Sequence, residues 1–117
     1  MKVGITTSGI NMDAPVYSHF GRAPKLMIYD LDLDTYHVQK NEQSLNAAQG
    51  AGIQTALHLC DEKVECVITG NCGPIAYETL RAAGVSVCTC PACTIAGAIE
   101  KLKHGDLVPC AAPNANA

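Results

Sequence analysis

Short apolar runs and helix-period stretches follow one another along this chain in an order that outlines a fold. Lys2 to Thr7 reads as a buried strand, followed by a long polar, glycine-containing stretch through Pro24. Lys25 to Leu31 and Thr35 to Lys40 are two β-rich runs, and the Asp32-Leu33-Asp34 between them predicts an antiparallel hairpin. Residues 41–50 are polar and small and read as a connection. Ile53, Ala56, Leu57 and Cys60 then recur at i, i+3, i+4 and i+7, one face of an amphipathic helix. Val64 to Thr69 is a short apolar strand. A second helix starts at Pro74, where a fixed φ and a missing N–H cost nothing. It is expected to turn Ile75, Ala76, Leu80 and Ala83 inward and to end at Gly84. Val85 to Val87 is the last strand. A third helix follows a Thr94 N-cap, buries Ile95, Ala98, Ile99 and Leu102, and stops at Gly105. Lys101, Lys103 and His104 complement its C-terminal dipole.

The order β-β-β-α-β-α-β-α predicts a three-layer α/β domain with a mixed five-stranded sheet, an antiparallel hairpin joined to parallel βαβ units. One domain over residues 1–110 and a loose tail over 111–117 are expected. In such sheets ligands collect outside the C-terminal strand ends. Cys72, in Gly70-Asn71-Cys72-Gly73-Pro74, and the loop Cys88-Thr89-Cys90-Pro91-Ala92-Cys93 both fall at strand-to-helix junctions there.

Composition narrows the chemistry. With 48% hydrophobic and 16% charged residues in 117, disorder is excluded. A net charge of -3 leaves no basic stripe for nucleic acid. No run approaches the ~20 apolar residues of a membrane span, and the first strand lacks the features of a signal peptide. A cytoplasmic location is expected. Seven cysteines there point to metal or redox chemistry more than to structural disulfides.

Gathered thiolates hold zinc or an iron–sulfur cluster. Cys72, Cys88, Cys90 and Cys93 are therefore the candidate metal ligands, expected to converge on one centre. The amides at Gly73 and the helix start after it are candidates to face sulfide or oxyanion groups. Cys60 and Cys66 read as core, and Cys110 has no assigned role. A structural zinc module with the same four thiolates, or a thiol–disulfide protein using Cys90-x-x-Cys93, are the alternatives. Asp30, Asp32 and Asp34 read as hairpin-turn acids. No carboxylates at other strand ends complete a two-metal nuclease site.

The segments His19-Phe20-Gly21-Arg22-Ala23-Pro24, Gly50-Ala51-Gly52, Gly70-Asn71-Cys72-Gly73-Pro74 and Thr94 to Leu107 resemble the dinitrogenase iron–molybdenum cofactor biosynthesis family, the NifX/NafY-like domains also found at the C-terminus of some NifB proteins. The resemblance implies a ribonuclease-H-like fold without nuclease chemistry. It implies a non-enzymatic carrier or scaffold for metal–sulfur clusters of iron–molybdenum and molybdenum–copper types. It also places the loop bearing His19 and Arg22 near the same site. By their own chemistry His19 is a candidate imidazole ligand and Arg22 a partner for the negative charge of a cluster, and Met12 reads as a hydrophobic lid rather than a soft ligand. Cys88, Cys90 and Cys93 lie outside the usual family pattern, which favours thiolate ligation. The cofactor expected is an iron–sulfur cluster, with or without molybdenum; zinc is the alternative. The partners expected are cluster donor and acceptor proteins, with the chain a monomer or a cluster-bridged homodimer.

Overall fold

In a computed structural model, which describes residues 1–41, 51–90, 92–107 and 109–110, five strands form one mixed sheet. The elements are β1 (Lys2–Thr7), a short 3-10 turn (Phe20–Arg22), β2 (Lys25–Asp30), β3 (Thr35–Lys40), α1 (Ala51–Asp61), β4 (Cys66–Thr69), α2 (Pro74–Ala82), β5 (Ser86–Thr89) and α3 (Ile95–Lys103). The strand order is β3-β2-β1-β4-β5. β2 runs antiparallel to both β1 and β3, while β1, β4 and β5 are parallel. This is the ribonuclease-H-like α/β architecture expected from the chain. The connection over 42–50 and the tail over 111–117 lie outside the described residues.

β1, β2 and β4 are buried along nearly their whole length, because helices cover both faces of the central sheet. β3, at one edge, is largely exposed. Alternate residues separate two cores. Val3, Ile5, Met27, Tyr29, Cys66, Ile68 and Cys88 meet Ile95, Ala98 and Ile99 of α3. Leu26, Ile28, Val67 and Val87 meet Ala56 and Leu59 of α1 and Ala76, Tyr77 and Leu80 of α2.

The local stop signals behave as read. Pro74 opens α2, and Gly84 and Gly105 take φ of 79° and 75° just past α2 and α3. Thr94 caps α3 by accepting from the Gly97 amide at 3.1 Å, a bond worth about 1 kcal/mol.

The inward faces of the first two helices differ from expectation. On α1, Leu57 is 46% exposed, whereas Leu59 is fully buried and fills the space over Gly4. Thr55 also turns inward, its hydroxyl donating to Asn41 Oδ1 at 3.1 Å, while Asn41 donates to the carbonyl of Ala23. A satisfied polar residue rotates the buried face in a way a hydrophobic count cannot register. On α2, Ile75 and Ala83 are exposed and Tyr77 is buried, its hydroxyl donating to the Cys110 carbonyl at 2.8 Å. β5 runs on to Thr89, so Cys88 belongs to the sheet, paired with Ile68, and not to the loop.

The hairpin acids organise the turn. Asp30 Oδ1 accepts from the amides of Asp32 and Leu33 at 2.9 and 3.2 Å. Asp34 accepts from the Tyr29 hydroxyl and from Lys103 Nζ at 3.3 Å, tying the hairpin to the end of α3. The Tyr29 bond first, and Lys103 next, hold the Asp34 carboxyl below its ordinary range. A depressed carboxylate stabilises the fold above its unfolded pKa, about 4, and that contribution is lost as pH falls through the folded value. Asn tolerates the φ of 56° at this position. The stability difference between wild type and Asp34→Asn is therefore expected to be small, since the pair is exposed. It should shrink in urea titrations as the pH falls through the lowered folded value of the Asp34 carboxyl.

Candidate functional site

Three strands end at one rim in threonines or sulfur. Thr6 and Thr7 close β1, Thr69 closes β4, and Cys90 follows β5. The three threonines are fully buried. Thr6 Oγ1 donates to Thr69 Oγ1 at 2.8 Å, and Thr7 Oγ1 donates to the Pro15 carbonyl at 2.9 Å.

Those hydroxyls are buried because residues 8–19 are stitched over the rim. The Tyr17 amide donates to the Thr6 carbonyl and the Gly70 amide to the Tyr17 carbonyl, at 2.8 and 2.9 Å. On one side, the Phe20 amide bonds the Asn71 carbonyl and Asn71 Nδ2 bonds the Ser18 carbonyl, both at 3.0 Å. On the other, the Val16 amide bonds the Cys93 carbonyl at 2.8 Å, and the Ile95 and Ala96 amides bond the carbonyls of Ala14 and Met12. Gly70 makes the approach possible: a Cβ there would lie 2.7 Å from Ser18 Cα and 2.9 Å from its oxygen. Sequence reasoning missed Thr6, Thr7, Thr69 and Gly70. The available signal was the row of β-branched hydroxyls at strand ends.

His19 is exposed at the rim, bridged to Asn71, its Nδ1 3.2 Å from Ser18 Oγ. Arg22, also exposed, closes the 3-10 turn that follows. Met12 is half-buried against the α3 core. Gly73 is the extended N-cap of α2.

The four expected thiolates do not converge. Cys72 is buried in the α1/α2 core, 1% exposed, with its Sγ 3.7 Å from the Gly73 carbonyl. Burial, with the nearby Cys110 adding to it, pushes its thiol pKa up to about 12. Cys88 is buried on the opposite face, beneath α3, with its Sγ 3.7 Å from that of Cys66. Donation to Cys88, together with burial, raises the Cys66 thiol, and the bond it gives makes Cys88 the first of the two to ionise. Cys90 and Cys93 are joined as a disulfide. The cause of the separation is the turn at Asn71, which carries the chain off the α3 side of β4 and into α2 on the other layer. Among the described residues, no three of His, Cys, Asp and Glu are grouped as metal ligands. The tetrahedral zinc alternative needs four donors around one point, and that arrangement is not formed by these residues.

What the rim does bring together is the Cys90–Cys93 pair and the loop carrying His19 and Arg22, separated by the span from Pro15, bridged to Thr94, to His19, bridged to Asn71. Cys60 is half-buried and Cys66 fully buried, both in core positions. Cys110 lies 3.7 Å from Thr89 Oγ1 and borders a cavity of about 350 Å³ along β5, lined also by Tyr77 and Arg81.

Comparison with known proteins bears on the family and the fold. The family model described as dinitrogenase iron-molybdenum cofactor matches residues 1–105. No curated protein matches the chain significantly. Among solved structures, the apo form of the orange protein from Desulfovibrio gigas is 29% identical, over 97% of this chain and 96% of that one, with a TM-score of 0.93. A protein assigned as NifB from Thermotoga is 30% identical over 99% and 98% of the two chains, with a TM-score of 0.84. A protein assigned as a dinitrogenase from Methanocaldococcus jannaschii, 16% identical over 97% of each chain with a TM-score of 0.72, shares the fold. No helix among the described residues is long and apolar enough to cross a membrane.

Proposed function

Because the chain belongs to the dinitrogenase iron-molybdenum cofactor family, we propose that it is a small non-catalytic carrier or scaffold that holds a metal–sulfur cluster as cargo. The observation that carries this reading is the stitched rim, where one loop is hydrogen-bonded both to the Asn71 junction and to the Cys93–Thr94 segment. That loop leads from the segment bearing the Cys90–Cys93 pair to His19 and the turn bearing Arg22, which supports reading this edge as the holding site.

These groups suit an anionic, sulfide-rich cargo. Reduced Cys90 and Cys93 supply two soft thiolates, the ligand type that iron and molybdenum–sulfur units exchange. Arg22 offers its fork of N–H donors to sulfide, and His19 an imidazole. Cys72 and Cys88 serve packing in this reading, since each is buried on a different face. Two thiolates leave a cluster with open positions, which fits a unit passed between donor and acceptor proteins or bridged between two copies of this chain.

The test is oxygen-free reconstitution of the reduced full chain with Fe(II) and sulfide, with and without tetrathiomolybdate. Visible absorbance and metal per chain are read after desalting. Cys90→Ser/Cys93→Ser is expected to lose most of the retained metal, and Arg22→Gln/His19→Gln a smaller share. Unchanged retention in the double cysteine variant would overturn thiolate holding; if the rim variant also retained full metal, the rim itself would be the wrong place.

A further inference from the structure

The α3 face of the sheet carries sulfur from the interior to the rim. Cys66 and Cys88 form a buried pair, Cys90 follows two residues after Cys88, and Cys90 is bonded to Cys93. All four belong to or pack against one core. We propose that Cys90–Cys93 is a thiol–disulfide exchange site, with Cys93 the nucleophile, Cys90 the resolving thiol, and a protein or peptide disulfide as substrate.

The two sulfurs are unequal. Cys90 is only 3% exposed and is shielded from a bulky disulfide substrate, while Cys93 is half-buried and the more accessible of the two. Lys101 Nζ lies 3.7 Å from Cys93 Sγ and is placed there by the first two turns of α3. An ammonium at that distance favours the thiolate form of the sulfur that must attack and leave. The backbone on both sides is held whether or not the bond is present: the Cys90 amide donates to the Thr69 carbonyl at 3.0 Å, the Cys93 carbonyl accepts from Val16, and Thr94 caps α3. The Cα separation of 5.8 Å is within bonding range, so the reduced pair stays poised to close. Ala92, just before Cys93, takes a φ of 60°.

In the first step the Cys93 thiolate attacks one sulfur of the substrate disulfide. That S–S bond breaks, and the distal substrate sulfur departs with the electron pair and takes a proton. In the second step the Cys90 thiol loses its proton and attacks Cys93 Sγ, forming the bond seen here and releasing the other substrate sulfur as a thiolate that is protonated in turn. Two electrons and two protons pass from the protein dithiol to the substrate. A cellular dithiol restores the reduced pair by the same steps in reverse. None of this uses metal, so the exchange stands or falls separately from cluster holding.

The experiment uses the metal-free full chain. It is equilibrated in glutathione buffers of graded ratio, quenched in acid, alkylated after denaturation and mapped by mass spectrometry. A single two-electron transition removing Cys90 and Cys93 together from the alkylated set is expected. In native, fully reduced wild type, iodoacetamide should label Cys93 about ten-fold faster than Cys90, and Lys101→Met should slow the Cys93 reaction several-fold at neutral pH. Cys90→Ser should trap a glutathione adduct on Cys93. Seven alkylatable thiols in every buffer, a bond mapped to other cysteines, or equal labelling of Cys90 and Cys93 would each overturn the assignment. The wild-type labelling rates decide the matter even if the serine variant misfolds.

Discussion

Leu59→Ala is expected to destabilise the protein by about 2–5 kcal/mol, against less than about 0.5 kcal/mol for Leu57→Ala two residues earlier. Both are leucines on the same helix, so composition and helix propensity do not separate them. Leu59 is fully buried, and its Cδ2 lies 3.0 Å from where a Cβ on Gly4 would stand. Gly4 sits on central strand β1, held between β2 and β4, so the sheet cannot rise into the space that truncation leaves. The loss is a large share of the roughly 5–15 kcal/mol that a small domain holds in reserve. The same geometry yields a double-mutant test. Gly4→Ala alone forces Leu59 aside and costs stability, but in the Leu59→Ala background the added methyl partly fills the cavity. The two effects should therefore fall well short of additive. Urea unfolding of the four proteins measures this; a Leu57→Ala cost equal to that of Leu59→Ala would show that α1 packs on the other face.

Gly70→Ala is the second large effect expected, about 1–3 kcal/mol of destabilisation. The new Cβ meets backbone atoms of Ser18 at 2.7 and 2.9 Å and the Tyr17 carbonyl at 3.0 Å, none of which is the tip of a side chain able to swing away. Residues 17 and 18 must lift, loosening the Gly70–Tyr17 and Phe20–Asn71 hydrogen bonds. Faster amide exchange at Gly70 and Phe20 is the direct measurement. On the proposed function the same variant also sheds cargo, because His19 and Arg22 ride on the lifted segment, while the Cys90–Cys93 exchange stays intact. Retained rim protection in Gly70→Ala would show that the loop is not anchored as described.

Much of the fold was legible because its signals are local. Pro74, Gly84, Thr94 and Gly105 act within one helical turn of themselves, through a missing N–H, a left-handed φ or a hydroxyl aimed at an amide. Strand runs bracketed by such markers order the sheet with little freedom. Of the candidate residues, Cys93 is hydrogen-bonded through its backbone to one end of the loop over residues 8–19, and His19, with Arg22 in the turn just beyond, lies at its other end. The cysteine reading failed where a single residue of parity decides the outcome. Cys88, one position inside β5, faces α3, whereas Cys72, just past a turn, lies beneath α1 and α2.

The chain's own pattern of apolar runs, caps and breakers thus determined which elements form, in what order, and that thiols collect near the C-terminal strand ends. Tertiary structure alone decided which layer each sulfur enters, which face of α1 is buried, and how residues 8–19 bind the rim. Those outcomes depend on partners distant along the chain, such as Gly4 beneath Leu59, Asn41 beside Thr55 and Gly70 under Ser18. Packing space and backbone hydrogen bonds at those meetings exist only once the sheet has closed.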